Sequence, residues 1–421
     1  MAVVTGVIAD DFTGATDIAS FMTEQGWRVA LLPGMPEKAQ RWDEDVNAIV
    51  ISLKSRSLPA SDAIRQAVDC CQWLQEQVGA KQIFFKYCST FDSTPQGNIG
   101  PVSDALLAAT RAPYIVHCPA LPQNGRTVVH GHLFVNGVLL NESGMEKHPL
   151  NPMTDASLVR LLAAQTPAQI GRIDLNTIQT DAAAITACLH QRQAAGDKHI
   201  IVDTLTPADL LNIARALQHA PLLAGGSGLG GALAAIAPTA DNKPDAGAFP
   251  AVPRAVVLSG SCSSMTLRQV NAYKARAAAL PVDIARCVAG DQHYIDELTQ
   301  WAMSHIADPL APLLYATLAP DALKAVQQRY GEQLASQAVE RTFARLALKL
   351  RDAGVNTFIV AGGETSGTVV EALQIERLTV GRAIAPGVPW VFAAGNSLAL
   401  ALKSGNFGSD DFFFNAQEYA V

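Results

Sequence analysis

The stretch VVTGVIADDFTGATD, residues 3–17, decides the fold. Residues 3–9 form a short apolar run rich in Val and Ile, the composition of a buried strand. Asp10 and Asp11 end that run abruptly, and a helical pattern follows over residues 13–25. Thr13 is the residue expected to cap this helix. A strand that feeds directly into a helix opens a β-α-β unit, and such units build parallel sheets.

Outward from this start the same rhythm continues. Strands are expected at residues 47–53, 82–87, 114–118, 170–175 and 199–205. Between the first two of these, a helix over 63–78 aligns Ile64, Ala67, Val68, Cys71, Leu74 and Val78, which makes Cys71 a core residue. One segment breaks the pattern. Residues 126–140 alternate around Asn136-Gly137, the dipeptide preferred by a type I′ turn, so a β-hairpin insertion is expected there. Residues 238–253, PTADNKPDAGAFPAVP, read as a linker. Beyond it, strands are expected at 255–258, 312–318 and 357–360. A helix is expected over 333–350, with Leu334, Ala338, Phe343, Leu346 and Leu350 near one face. The expected fold is two α/β domains with mainly parallel sheets and an interdomain cleft. The domains are 1–240 and 254–421, joined by 241–253.

Composition narrows the function. With 421 residues, 49% apolar and 16% charged, the chain has material for two large cores. Its formal charge of −7 disfavours a nucleic-acid or anionic-membrane binder, while a local pocket for a small anion stays allowed. The seven cysteines form no C-x-x-C pair, so neither a zinc ribbon nor a disulfide framework is indicated, and a reduced cytoplasm fits. The start lacks a signal-peptide pattern. The uncharged stretches 220–240 and 385–402 are broken by Gly and Pro, and read as buried core rather than membrane spans.

Three polar loops of the first domain follow expected strands, where open α/β sheets bind ligands. Asp10 and Asp11 could hold a Mg²⁺ shell, accept hydroxyls or act as a base; equally, Asp11 and Thr13 could only cap the helix. Arg56, in Lys54-Ser55-Arg56-Ser57, offers a planar fork for a carboxylate or phosphate. Lys86, Asp92, Ser93 and Thr94 fall in KYCSTFDST, residues 86–94, with Gly97-Asn98 behind them. So many hydroxyls beside a Lys and an Asp fit a polyol or phosphate pocket.

The second domain has three loops of small residues: Ser259 to Ser264, Ala361 to Gly367, and Lys403 to Gly408. Small residues let backbone N–H groups approach phosphate oxygens, and a helix N-terminus adds a favourable dipole. Each is also compatible with an ordinary tight turn. No Gly-Lys dipeptide exists, which excludes a Walker A loop. Gly226, Gly228 and Gly231 spell G-x-G-x-x-G, but without an acidic partner in a following β-α-β unit they read as close packing or a cleft wall. His130 and His132 would share one side of a hairpin strand, with no third ligand to make a zinc site.

IADDFTGATDIA, KYCSTFDSTPQGNIG and VAGGETSG, in that order along the chain, resemble the four-carbon acid sugar kinases, in particular their 3-oxo-tetronate kinase branch. The resemblance implies a sugar-acid-binding domain followed by a nucleotide-binding domain, using ATP and Mg²⁺. The implied reaction phosphorylates the 4-hydroxyl of 3-oxo-tetronate, with threonate and erythronate as related substrates. It implies Asp10, Asp11, Arg56, Lys86 and Asp92 on the substrate side, with Ser93 and Thr94 in the same motif. On the nucleotide side it implies Ser259, Gly362, Gly363, Glu364, Thr365 and Gly405. Asp92, Asp11 and Lys86 are the catalytic candidates. The implied partners are small molecules, and a homo-oligomer stays open. The rival classes are a nucleotide-dependent oxidoreductase, from the glycine pattern, and a non-catalytic sugar-acid-binding protein.

Overall fold

The computed structural model describes residues 5–37, 46–147, 151–237, 254–393 and 398–418. The chain divides into two compact units, Met1–Pro244 and Asp245–Val421. The linker expected at 238–253 lies outside the described residues.

In the first unit the strands are β1 (Thr5–Ala9), β2 (Val29–Pro33), β3 (Ala48–Ser52), β4 (Gln82–Lys86), β5 (Ile115–Cys118), β6 (Arg126–Val129), β7 (His132–Val135), β8 (Val138–Leu139), β9 (Ile170–Ile173), β10 (His199–Val202) and β11 (Leu222–Gly225). Eight of them form a sheet in the order β2-β3-β1-β4-β11-β5-β10-β9, and every pair is parallel. β1 is central, with Ala9 level with Ser52 on one side and Lys86 on the other. The three loops that follow these strands therefore leave the sheet at one edge. Strand residues such as Val7, Val50, Ile83 and Phe84 are wholly buried, each contributing about 1.5–3 kcal/mol of hydrophobic stabilisation.

The helix Phe12–Glu24 starts one residue before the position expected, and its cap is Asp11 rather than Thr13. The Asp11 carboxylate accepts from the Gly14 N–H at 2.7 Å, which satisfies an orphan donor of the first turn. Along its length every residue from Phe12 to Met22 is buried. The helix Ser227–Ile236 packs against it, and a Cβ on Gly230 would lie 2.6 Å from Ile18. The glycine-rich run is thus a close helix contact, with Gly228 and Gly231 equally confined by Ala120 and Phe21.

The expected hairpin is a three-stranded antiparallel meander, β6-β7-β8. Asn136-Gly137 makes its second turn, with φ of 53° and 81°. The first turn is His130-Gly131, at 52° and 71°, which corrects the placement of His130 on a strand face. Asp203 supplies the reason, because its carboxylate accepts from both turn N–H groups at 2.8 Å.

The second unit contains β12 (Ala255–Ser259), β13 (Ala279–Pro281), β14 (Leu313–Tyr315), β15 (Thr357–Ala361), β16 (Leu378–Ala385), β17 (Val388–Ala393) and β18 (Ala399–Lys403). Strands β13-β14-β12-β15-β18 are parallel neighbours; β17 adds antiparallel to β18, and β16 antiparallel to β17. Ser259, Ala361 and Lys403 end adjacent strands in register. The helix Glu332–Asp352 buries Ala335, Ala338, Val339, Phe343, Leu346 and Leu350, whereas Leu334, expected on that face, is 46% exposed. No helix among the described residues is long and apolar enough to cross a membrane. All seven cysteines are free, and Cys71 is buried as expected.

Candidate active site

The first cluster forms where β1, β3 and β4 end. Backbone bonds fix the loops before any side chain acts: Asp10 N–H donates to Lys86 O at 3.0 Å, and Ser55 N–H to Asp10 O at 3.0 Å. Asn98 then ties down the Arg56 loop, its amide donating to the Ser55 and Leu58 carbonyls at 2.8 and 2.9 Å. On this frame the Arg56 guanidinium meets three carboxylates. Its Nε and Nη2 donate to the two oxygens of Asp10 at 2.9 and 2.8 Å. Its Nη1 lies 2.9 Å from Asp11 and 3.7 Å from Asp92. The fork expected to be open for a ligand is therefore filled by Asp10, because three carboxylates converge on a single cation.

Lys86 sits deeper. Its Nζ donates to Tyr87 O at 2.9 Å and lies 3.8 Å from Asp17, which also accepts from Ser227. Motif reading does not single out Asp17, although it is the one carboxylate among the buried helix residues Phe12 to Met22. Nor does it single out Gln165. Its amide donates to Ser93 Oγ at 2.8 Å and Thr94 O at 2.7 Å, locking that loop from 72 residues away. Ser93 is buried and lines a small cavity with Asp10, Arg56, Asp92 and Asn98; Thr94 is half-buried at the margin. Asp92 follows Phe91, whose φ of 50° turns the chain and whose ring packs on Tyr87. Asp92 Oδ1 is buried and has no hydrogen-bond partner among the described residues.

The electrostatics separate the two adjacent aspartates. Burial pushes Asp10 up from the ordinary carboxylate range, even though Arg56 opposes it. Burial also acts on Asp11, but the charges of Arg56 and Lys86, with the Gly14 N–H and the Thr13 hydroxyl, bring it below that range. Burial raises Asp17 too. Behind the cluster runs a buried chain: Tyr87 OH to His117 Nδ1 at 3.0 Å, His117 Nε2 to His199 Nδ1 at 3.0 Å, and His199 Nε2 to Asp104 at 2.8 Å. An ionised Asp104 only accepts, so two neutral Nε2–H histidines satisfy every link, with the tyrosine donating. Burial lowers both histidines and keeps them in that form.

The second cluster uses few charges. The loops after β12, β15 and β18 pack so closely that a Cβ on Gly260 would lie 2.2 Å from Thr365 Oγ1, and one on Gly405 2.5 Å from Ser261 Oγ. Gly362 has φ 129°, a conformation L residues rarely adopt. Gly363 begins the helix Gly363–Ala372, with Glu364 exposed and Thr365 buried. The Ser259 side chain is wholly buried and bonded to Thr317 at 2.8 Å, so it supports the loop from below. The Gly405 carbonyl accepts from Ser263 Oγ at 2.6 Å, Thr266 Oγ1 at 2.7 Å and Lys403 Nζ at 3.1 Å. Lys403, which opens the Lys403–Gly408 loop, is signalled in the sequence by its place at the end of an uncharged stretch.

The chain matches the family model of a sugar-binding N-terminal domain over residues 5–233 and that of a nucleotide-binding C-terminal domain over residues 256–413. A Brucella melitensis relative described as a 3-oxo-tetronate kinase is 48% identical, covering 99% of this chain and 95% of its own. The chain belongs to the four-carbon acid sugar kinase family. A Haemophilus influenzae member with the same description is 47% identical over 98% of both chains. A crystal structure of a Haemophilus influenzae protein aligns with a TM-score of 0.80 at 46% identity, covering 99% of this chain and 100% of that one. In terms of this family, each matched region contains one of the two clusters.

Proposed function

We propose that this chain is an ATP-dependent kinase that phosphorylates the 4-hydroxyl of 3-oxo-tetronate, the activity by which its family relatives are described. The observation that carries the assignment of roles is the Asp92 carboxylate, buried beside Arg56 with one oxygen unpartnered. Such an oxygen is an acceptor waiting for a hydroxyl donor. In this reading Asp92 orients the 4-hydroxyl and takes its proton as the oxygen attacks the γ-phosphorus and the bond to ADP breaks. Arg56 fixes the geometry of Asp10, Asp11 and Asp92, and its Nη1 edge together with Lys86 supplies the positive side of the pocket. Asp10, Asp11, Ser93 and Thr94 complete the sugar-acid site.

On the other unit, the loops carrying Ser259, Gly362, Gly363, Glu364, Thr365 and Gly405 cradle the phosphates through backbone N–H groups. Among the described residues no three of His, Cys, Asp and Glu converge on a metal. That fits Mg²⁺, which takes one or two carboxylates and draws its other ligands from phosphate and water. The exposed Glu364, on the loops proposed for the phosphates, is the carboxylate that would hold it. When bound, the ion neutralises charge on the β- and γ-phosphates. ATP use and free thiols fit the cytoplasm.

The test incubates the protein with ATP, Mg²⁺ and a panel of four-carbon acids: 3-oxo-tetronate, threonate and erythronate. ADP release and the ³¹P spectrum of the product are followed. The highest kcat/KM is expected for 3-oxo-tetronate, giving a 4-phosphate. Preference for threonate or erythronate would keep the kinase and change its substrate; no ADP above background with any acid would remove the kinase reading.

A further inference from the structure

All three guanidinium nitrogens of Arg56 already face carboxylate oxygens, so the carboxylate of a sugar acid needs another cation. Lys86 is engaged as well, by Asp17 at 3.8 Å. The register of the sheet supplies a third candidate. Gly225, at the end of β11, is level with Lys86 on one side and with Cys118, the end of β5, on the other. The chain after β5 therefore leaves the sheet at the same edge as the Asp10 and Asp92 loops. It turns back at Arg126, whose backbone exchanges two hydrogen bonds with Leu121 at 2.9 and 3.1 Å. The Arg126 side chain is half-buried, and its charge acts on Asp17. Its Nη1 donates to the neutral carbonyl of Asn124, while its Nε is buried with no hydrogen-bond partner among the described residues.

We propose that Arg126 holds the carboxylate of the sugar acid, and that it, not Arg56, makes the site select an acid over a neutral sugar. The inference rests on the kinase reading and deepens it. A buried donor without a partner costs free energy that a ligand recovers by accepting from it. A planar guanidinium matches a carboxylate in shape and charge. Asp17 Oδ1 is likewise buried and unpartnered, so the pair offers one donor and one acceptor. An α-hydroxy acid is the complement, because its carboxylate accepts and its hydroxyl donates. The strand order agrees with this orientation. Arg56 follows β3 and Arg126 follows β5, on opposite sides of β4. Asp92 lies 3.7 Å from Arg56, so the reacting hydroxyl and the carboxylate, the two ends of the acid, meet opposite sides of the Lys86 strand end.

The experiment compares 3-oxo-tetronate with erythrulose, the neutral sugar in which a hydroxymethyl group replaces the carboxylate. Steady-state kinetics with ATP are measured for the full-length protein and for Arg126→Met and Arg126→Lys, with melting curves to verify that each variant folds. Arg126→Met should raise the KM for 3-oxo-tetronate about 30-fold, with kcat within about threefold and the KM for ATP within about twofold. Its kcat/KM for erythrulose should stay within about twofold of the unmodified protein's, because that sugar has no carboxylate to lose. Arg126→Lys keeps the charge but loses the fork, so its KM for the acid should lie between the two. This second variant carries the test if Arg126→Met does not fold. An unchanged KM for the acid, or equal losses toward the acid and erythrulose, would overturn the assignment and leave the kinase standing. If the unmodified protein turns over neither compound, the 3-oxo-tetronate kinase reading fails and takes the assignment with it.

Discussion

Lys86 and Lys403 each close the C-terminal end of a strand inside its sheet, and both are almost fully buried, at 2% and 0% exposure. Their surroundings differ in kind. Lys86 lies among carboxylates, with Asp17 at 3.8 Å and Asp11 exerting its charge nearby. Lys403 meets only neutral oxygens, those of Thr266, Ser404 and Gly405 at 2.9–3.1 Å. Burial accordingly pulls Lys403 down to about 7. One strand-end position thus serves two designs. The first unit builds its cluster from a network of charges, the second from backbone groups and hydroxyls held in place by close glycine contacts.

The largest effect should come from Asp92→Asn, which keeps the shape of the group but removes its basicity. We expect kcat to fall about 10²–10⁴-fold with little change in KM for the sugar acid, measured by steady-state kinetics. A wild-type kcat would exclude Asp92 from proton transfer. Next is Arg56→Ala, which leaves Asp10 and its neighbours without their shared cation and should cost about 3–5 kcal/mol in denaturant unfolding. Lys403→Met removes only hydrogen bonds to neutral groups, so its loss should be smaller, about 1–2 kcal/mol. Equal losses from the two substitutions would break the contrast between the units.

The remaining predictions concern pH dependence, which has opposite ranges in the two units. An unfolded lysine holds its proton to about 10.5, whereas Lys403 when folded holds it only to about 7. Between these values the unfolded chain binds more protons, so stability rises with pH. The advantage of the unmodified chain over Lys403→Met should therefore grow from pH 7 to pH 10. His117, kept neutral by burial well below its ordinary 6.5, acts on the acid side. Below pH 6.5 the unfolded chain takes up protons that the folded chain refuses, and the contribution of the Tyr87–His117–His199 chain is lost as pH falls. Thermal melts of the full chain against pH measure both.

What could be read directly from the residues was local. The run from Thr5 to Glu24 is legible because apolar character stops at Asp10 and resumes with helical period. β11, β17 and β18 lie within or beside apolar stretches, where both strand faces are buried and no alternation marks the edges. In the candidate site, the positions of Arg56, Lys86 and Asp92 follow from strand ends, but their partners do not. Arg56 reaches Asp10 across 46 residues and Gln165 reaches Ser93 across 72, distances over which no local pattern operates. The turn at His130 depends on Asp203, 73 residues away, and so escaped a reading based on neighbouring residues.

The division of labour between charge network and glycine loops is tested most directly by paired calorimetry on the full chain. 3-Oxo-tetronate and ATP are titrated separately into Arg56→Lys, which keeps a charge but loses the fork, and into Gly405→Ala, whose Cβ would stand 2.5 Å from Ser261 Oγ. The account predicts that Arg56→Lys weakens sugar-acid binding at unchanged ATP affinity, and that Gly405→Ala weakens ATP binding at unchanged sugar-acid affinity. The reverse pattern, with Arg56→Lys losing ATP and Gly405→Ala losing the sugar acid, would contradict it.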